Sequence, residues 1–332
     1  MNKAPPIVSI IIVDYKKKNP YLAECLDAIQ KQSYRRFEII LICDYKIELN
    51  YPKLRQKYFG HYVGPAEKRD VGAKMAKGEI LAFIDDDAFP SPDWLKNMMP
   101  HFRDSMIAGV GGPGVTPPGV SWQEAASGWA SASPIGSGPY LYRFLLFQKR
   151  FVKDYPSMNL AVRKLDFEKV GGFDSNFWPG EDTKLCLDLT HRLGKKIIYD
   201  PQVLVYHHRR PILFPHLRQN GNFGLHRGFF ARILPQTSLQ LVYFGPSLLV
   251  LGIFYLLFLS WLNQPPLNYF HRIGWLLFKG YFLSLIANAI WIAGVSKNIF
   301  QSLLSIPIIF ITHLWYGLRF LQGFLFTKKL AR

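Results

Sequence analysis

Two regimes of hydrophobic patterning divide the chain. Up to about residue 206, short apolar runs alternate with stretches at helical spacing; beyond about residue 239 the apolar stretches lengthen to more than twenty residues. In the first regime residues 7–13, Phe37–Cys43 and Ile80–Ile84 read as strands with no polar alternation, the mark of strands buried on both faces. Between them, residues 20–32 place Leu22, Cys25, Leu26 and Ile29 at helical spacing after Asn19-Pro20, and Gly64–Gly72 opens a second helix that Lys77-Gly78 closes. Ser91-Pro92 starts another helix, and Leu185, Leu189 and Leu193 mark one more. Ser157–Val162, Lys196–Tyr199 and Val203–Tyr206 complete the strands, while residues 109–140, rich in Gly, Pro and Ser around Trp122, Trp129 and Tyr140, read as a mobile loop. This order predicts an α/β fold with a doubly wound, mostly parallel sheet whose strand C-termini form a ligand crevice.

The second regime predicts a membrane region. Residues 239–262, 273–294 and 299–326 are each long enough to cross a bilayer of roughly 30 Å, separated by Pro265-Pro266 and Ser296-Lys297-Asn298. Upstream, 212–238 mixes Phe214, Phe223, Phe229 and Phe230 with Arg218, Arg227 and Arg232, a pattern suited to amphipathic helices lying in the interface. The expected division is a catalytic domain at 1–211, an interfacial segment at 212–238 and a membrane region at 239–332. Pro307, His313 and Arg319 leave the third segment two readings: a full crossing, or a re-entrant or interfacial piece that returns Lys328 and Lys329 to the starting side.

Charge sharpens this picture. The formal net charge is +17, and beyond Asp200 come twelve Lys and Arg with no Asp or Glu. A basic stretch that is also the most apolar part of the chain points to anionic headgroups rather than nucleic acid. Three scattered cysteines (Cys25, Cys43, Cys186) suit a reducing compartment, and the short apolar run after Pro5-Pro6 is too brief for a secretory leader. The expected location is the cytoplasmic (inner) membrane, with the catalytic domain in the cytosol.

Acidic residues gather where strands end. Asp14 and Asp44 close the first two, and Asp85-Asp86-Asp87 closes Ile80–Ile84. Three adjacent carboxylates repel one another, a repulsion that Mg²⁺ or Mn²⁺ would relieve while bridging to phosphate oxygens; an acidic turn is the plainer reading. Arg69 could hold a phosphate or stand exposed on its helix. Glu181-Asp182, at a helix start after Trp178-Pro179-Gly180, suits either a general base or a helix cap. His207-His208-Arg209-Arg210 could supply a metal ligand and diphosphate contacts, or form a basic surface loop.

Taken in order, these motifs resemble the family 2 glycosyltransferases, membrane-attached enzymes with a GT-A nucleotide-sugar fold, over about residues 7–232. Val8–Tyr15 resembles the opening strand, Glu38–Asp44 the second, Asp85-Asp86-Asp87 the DxD motif, and Gly171-Gly172-Phe173-Asp174 with Gly180-Glu181-Asp182 the acceptor-side signature. The sequence departs where the family usually reads Pro-Thr-Tyr-Asn and Asp-Gly-Ser, having Val13-Asp14-Tyr15-Lys16 and Asp44-Tyr45-Lys46, and it has no Gln-x-x-Arg-Trp. The resemblance implies an inverting displacement at the anomeric carbon of a nucleotide-diphosphate sugar. It places Asp182 as base with Glu181 as the second choice, Asp14, Asp44, Arg69, Asp85 and Asp86 on the nucleotide sugar, and Asp87, Asp85 and His207 on a divalent cation. Arg209, Arg227 and Trp178 are assigned to phosphate or acceptor, the acceptor being a lipid-linked or growing glycan held beside membrane lipids.

Two other classes fit parts of the pattern. A catalytically silent scaffold of a glycan-assembly complex would keep the fold without needing the acids. A metal-dependent phosphotransferase or nuclease would need its basic residues on the carboxylate face, whereas here they crowd the apolar end.

Overall fold

The computed structural model describes residues 8–15, 19–262 and 268–330. Pro5-Pro6, Ile7, Lys16 and Pro265-Pro266, which entered the sequence reading, lie outside the described residues. The chain divides into two units, one drawn from residues up to Pro117 with Tyr142–His208 and Leu330, the other from Pro118–Leu141 with Arg209–Lys329.

The first unit is built on an eight-stranded sheet in the order β3-β2-β1-β4-β9-β6-β10-β8. Its strands are β1 (Val8–Asp14), β2 (Phe37–Cys43), β3 (Leu54–Tyr58), β4 (Ile80–Asp85), β6 (Ile107–Gly111), β8 (Arg150–Val152), β9 (Asn159–Arg163) and β10 (Lys196–Tyr199). A smaller sheet joins β5 (Ala88–Pro90), β11 (Val205–His207) and β7 (Gly114–Val115). The pairs β3–β2, β2–β1, β1–β4 and β6–β10 are parallel. β9 runs antiparallel between β4 and β6. The sheet is therefore mixed but mostly parallel, as the continuous apolar runs imply.

Both faces of this sheet are covered. Ile10 and Ile12 of β1 pack with α1 (Leu22–Gln30) and α3 (Trp94–Met98). On the other face α2 (Pro65–Met75) comes so close that a Cβ at Gly72 would press on the Ile11 side chain, and Phe83 meets Phe167 of α6 (Lys164–Val170) at 5.6 Å. Parallel register sets Asp14 beside Cys43 and Val13 beside Asp85, so Asp14, Asp44 and Asp85 emerge along one edge of the sheet.

Two expectations are corrected. The last strand is Val205–His207 rather than Val203–Tyr206, because Val203 is held in a turn by Asp200, its N–H donating to the Asp200 carbonyl at 3.1 Å. Residues 109–140 are largely ordered, containing the end of β6, β7, α4 (Trp122–Ser131) and α5 (Pro134–Ser137). The small residues that suggested a loop form a buried helix face: Ala126, Ser127, Gly128 and Ala130 are buried along α4 with Glu124, and Ser121 caps it by accepting from Glu124 N at 3.2 Å.

The second unit contains α4, α5, α8 (Phe214–Ile233), α9 (Pro235–Ser238), α10 (Leu241–Leu262), α11 (Asn268–Ser296) and α12 (Ile299–Leu325). α10, α11 and α12 are long and apolar enough to cross a membrane. α8 and α12 lie together along glycines: a Cβ at Gly224 or Gly228 would strike the backbone of Tyr316 or Phe320. Small residues at i and i+4 let two helix backbones approach this closely.

Candidate active site

The site stands at the C-terminal ends of β1, β2 and β4. Asp85 closes β4, and a tight turn carries the chain to β5, which pairs antiparallel with β11 so that His207 lies opposite Ala88. This pairing returns the histidine to the acidic motif: His207 Nε2 is 3.2 Å from Asp87 Oδ1, and the His208 N–H donates to the Asp87 carbonyl at 3.0 Å. One ligand atom from each of Asp85, Asp87 and His207 falls within 4.8 Å of the others. Two carboxylates and an imidazole on converging segments make a donor set that fits Mn²⁺ or Mg²⁺, the imidazole favouring Mn²⁺.

The middle carboxylate has a different setting. Asp86 is buried and accepts from Asn19 Nδ2 at 2.5 Å, while the same amide reaches Asp14 Oδ1 at 3.4 Å. Burial first, then the Asp87 charge, push its carboxyl up to about 9. Asp86 thus braces the turn from beneath, within a cluster that includes Asp14.

Asp14 and Asp44 line the neighbouring strand ends. The Asp14 carboxylate accepts from the Tyr45 hydroxyl at 2.5 Å. Asp44 pairs with Lys68 at 2.8 Å and accepts the Val63 N–H at 3.0 Å, and Lys68 also donates to the Asp14 carbonyl at 2.8 Å. Lys68 is almost fully buried, so its charge ties α2 to both strands. Sequence reasoning gave Lys68, Tyr45 and Asn19 no role of their own in the site. A lysine in a helix's first turns and an asparagine before a proline read as surface and cap, and only the parallel register brings them to the acids.

Arg69, the next residue, links the two acidic motifs. Its guanidinium reaches Asp85 Oδ1 at 3.0 Å and Glu181 Oε1 at 2.7 Å, with both Arg69 and Glu181 buried. Arg69 is therefore no exposed helical arginine. Glu181 opens α7 (Glu181–Leu187) and also accepts the Gly180 N–H at 2.9 Å. Asp182 has other partners: it accepts from Thr183 N at 2.7 Å and Ser157 N at 3.3 Å and remains partly exposed. Burial, then the adjoining Glu181 charge, push the Asp182 carboxyl up to about 7. Trp178 stands partly exposed on the segment leading into α7.

Arg209 and Arg227 belong to the second unit. The Arg209 N–H donates to Glu124 Oε1 at 2.9 Å, and the Arg227 guanidinium lies 4.9 Å from the Tyr243 ring centre and donates to Ser238 Oγ at 3.2 Å.

Residues 9–169 match the family described as "Glycosyl transferase family 2". They belong to it. The chain is 28% identical over 197 residues to the pre-mycofactocin glycosyltransferase of Mycobacterium tuberculosis, a match covering 57% of this chain and 39% of that one. It is 22% identical over 224 residues to the glucosyl-dolichyl phosphate glucuronosyltransferase of Haloferax volcanii, covering 60% and 68%. In structure it is similar to a mannosyltransferase from Pyrobaculum calidifontis solved with GDP-Man and Mn²⁺, with a TM-score of 0.61 and 18% identity over 95% of this chain and 88% of that one. The chain has the GT-A fold, and it spans about two fifths of the length of its mycobacterial relative.

Proposed function

We propose that the chain is a membrane-bound, inverting glycosyltransferase that moves a sugar from a metal-bound nucleotide-diphosphate sugar to a hydroxyl of a lipid-linked or growing glycan. The observation that carries this reading is the convergence of Asp85, Asp87 and His207 within 4.8 Å, with Arg69 joining Asp85 to Glu181. An acidic turn of purely structural use would not need a histidine brought back from 120 positions along the chain.

In this reading Asp85, Asp87 and His207 hold the divalent cation, which when bound neutralises charge developing on the leaving diphosphate. Asp14 and Asp44 face the base and ribose, with Lys68 and Tyr45 fixing their orientation. Asp182 takes the acceptor hydroxyl's proton, since its free side is partly exposed and its raised basicity suits a base working near neutral pH. Glu181 is spoken for by Arg69 and Gly180, which favours it as a positioning residue. Trp178, Arg209 and Arg227 are assigned to phosphate or acceptor, and 212–238 to the interface. The Haloferax relative, named for a dolichyl phosphate glycolipid, and the manganese and GDP-mannose of the Pyrobaculum structure support lipid-linked acceptor, cation and donor alike.

The test is transfer itself. Membranes containing the chain are incubated with radiolabelled nucleotide sugars, with Mn²⁺ or with a chelator. Label entering a lipid-extractable or polymeric product only with the cation supports the reading; label that stays water-soluble with every donor overturns it.

A further inference from the structure

The second unit holds three helices long enough to cross a membrane, yet the contacts of α12 are those of a helix that does not cross. α10 and α11 form an antiparallel hairpin: Ser260 meets His271 at 2.9 Å, and a Cβ at Gly274 would touch Leu256. Its open end holds the beginning of α10 and the end of α11. The ties from α12 lie between that end and the midpoint of α11, where His313 meets Tyr281 at 2.9 Å. Phe310 packs on Phe282 at 5.3 Å, and the Ser302 hydroxyl donates to the Ala289 carbonyl. Further along α12 the chain meets the start of α10: the Ser247 hydroxyl donates to the Gly317 carbonyl at 3.2 Å, and Phe320 packs on Phe244 at 4.7 Å. A crossing helix would descend beside the hairpin from one end to the other. α12 instead follows α11 only from its end to its midpoint, and then meets the start of α10, which lies at the end where α12 set out.

α8 gives an independent reason. It runs in the same direction as the later half of α12, from His216 beside Thr312 at 2.9 Å to Arg232, which donates to the Phe324 carbonyl at 3.1 Å and to that of Thr327. That shared path is about 24 Å at 1.5 Å per residue, most of a hydrocarbon core. A crossing α12 would draw the exposed Arg218, Asn222 and Arg232 of α8 into that core. Laid at the interface, the same pair is well matched. α12 buries Ser302, Ser305, Ile309, Phe320 and Gly323 and exposes Leu303, Ile311, Trp315, Leu318 and Leu325 along its opposite face. Arg218, Arg232, Lys297, Lys328 and Lys329 collect at this end, whereas Arg272 and Lys279 lie on the other half of α11.

We infer that the chain crosses the membrane twice, through α10 and α11, and that α8 and α12 form a slab lying in one leaflet, its apolar stripe in the acyl boundary and its basic residues at anionic headgroups. The excess of Lys and Arg makes that leaflet the cytosolic one. The inference rests on membrane attachment and not on the chemistry of the first unit, so it stands or falls apart from sugar transfer.

Cysteine accessibility in the full chain tests it. Lys297→Cys, Lys329→Cys and Trp261→Cys are made singly and labelled with an impermeant maleimide in intact cells and in inverted membrane vesicles. Cys25, Cys43 and Cys186 are buried, so the unsubstituted chain gives the blank. Lys297→Cys and Lys329→Cys labelled only in inverted vesicles, with Trp261→Cys labelled in intact cells, is the expected result. Lys329→Cys labelled together with Trp261→Cys means that α12 crosses, and overturns the inference. Spin labels at Leu303, Ile311 and Leu318 give a second readout: constant shallow depth is expected, and a passage through the bilayer centre contradicts it.

Discussion

Arg69 receives two carboxylates that arrive from distant parts of the sequence, Asp85 at 3.0 Å and Glu181 at 2.7 Å. Replacing it with Met leaves two acids facing each other with no cation between them. Loss of one partner of a buried ion pair costs about 3–5 kcal/mol, so Arg69→Met is expected to lower Tm markedly and to abolish transfer. Asp182 makes a sharper prediction. A base must be ionised, and this carboxyl is pushed up to about 7, so kcat/KM should rise with pH and level off above neutrality. Asp182→Asn should fold, keep nucleotide affinity and lose about 10²–10⁴-fold in turnover, the usual contribution of a general base. A variant with near-normal turnover would remove Asp182 from that role. At this scale the acids were legible because like charges in a row demand a reason. Lys68 and Asn19 were not, because their partners lie across the fold, 24 and 67 positions away.

Whole elements follow the same division between local pattern and tertiary setting. β1, β2 and β4 announced themselves as unbroken apolar runs. β3, Leu-Arg-Gln-Lys-Tyr at the sheet edge, carries almost no hydrophobic signal, since an edge strand needs only one neighbour and can stay wet. α4 was hidden because its buried face is made of small residues, Ala126, Ser127, Gly128 and Ala130, together with Glu124. The glycines of α8 serve close packing. Gly228→Leu would force the α8 and α12 backbones apart, costing about 1–3 kcal/mol or more by overpacking. The expected outcome is new tryptic cleavage at Arg227 and Arg232, with the first unit as resistant as before; an unchanged digest would show that the crossing tolerates a side chain.

Across the whole molecule, composition and motif order already separated an α/β part bearing acidic motifs from a basic, apolar part, and the two units follow that separation except at residues 118–141 and at Leu330. Residues 118–141 sit between strands of the first unit in sequence but fold with the second, a rearrangement that no composition shift announces. The central claim concerns the first unit: it binds a nucleotide diphosphate through a cation held by Asp85, Asp87 and His207. The most direct measurement is a thermal-shift series on the detergent-purified chain and its Asp87→Ala variant, using UDP, GDP, dTDP and CDP with and without Mn²⁺. A ligand at 100 times its Kd stabilises the state that it binds by about 2.7 kcal/mol, a readable shift in Tm. The account predicts a shift with one nucleotide that vanishes when Mn²⁺ is removed and in Asp87→Ala. No shift with any nucleotide, or one indifferent to both the cation and Asp87, would contradict it.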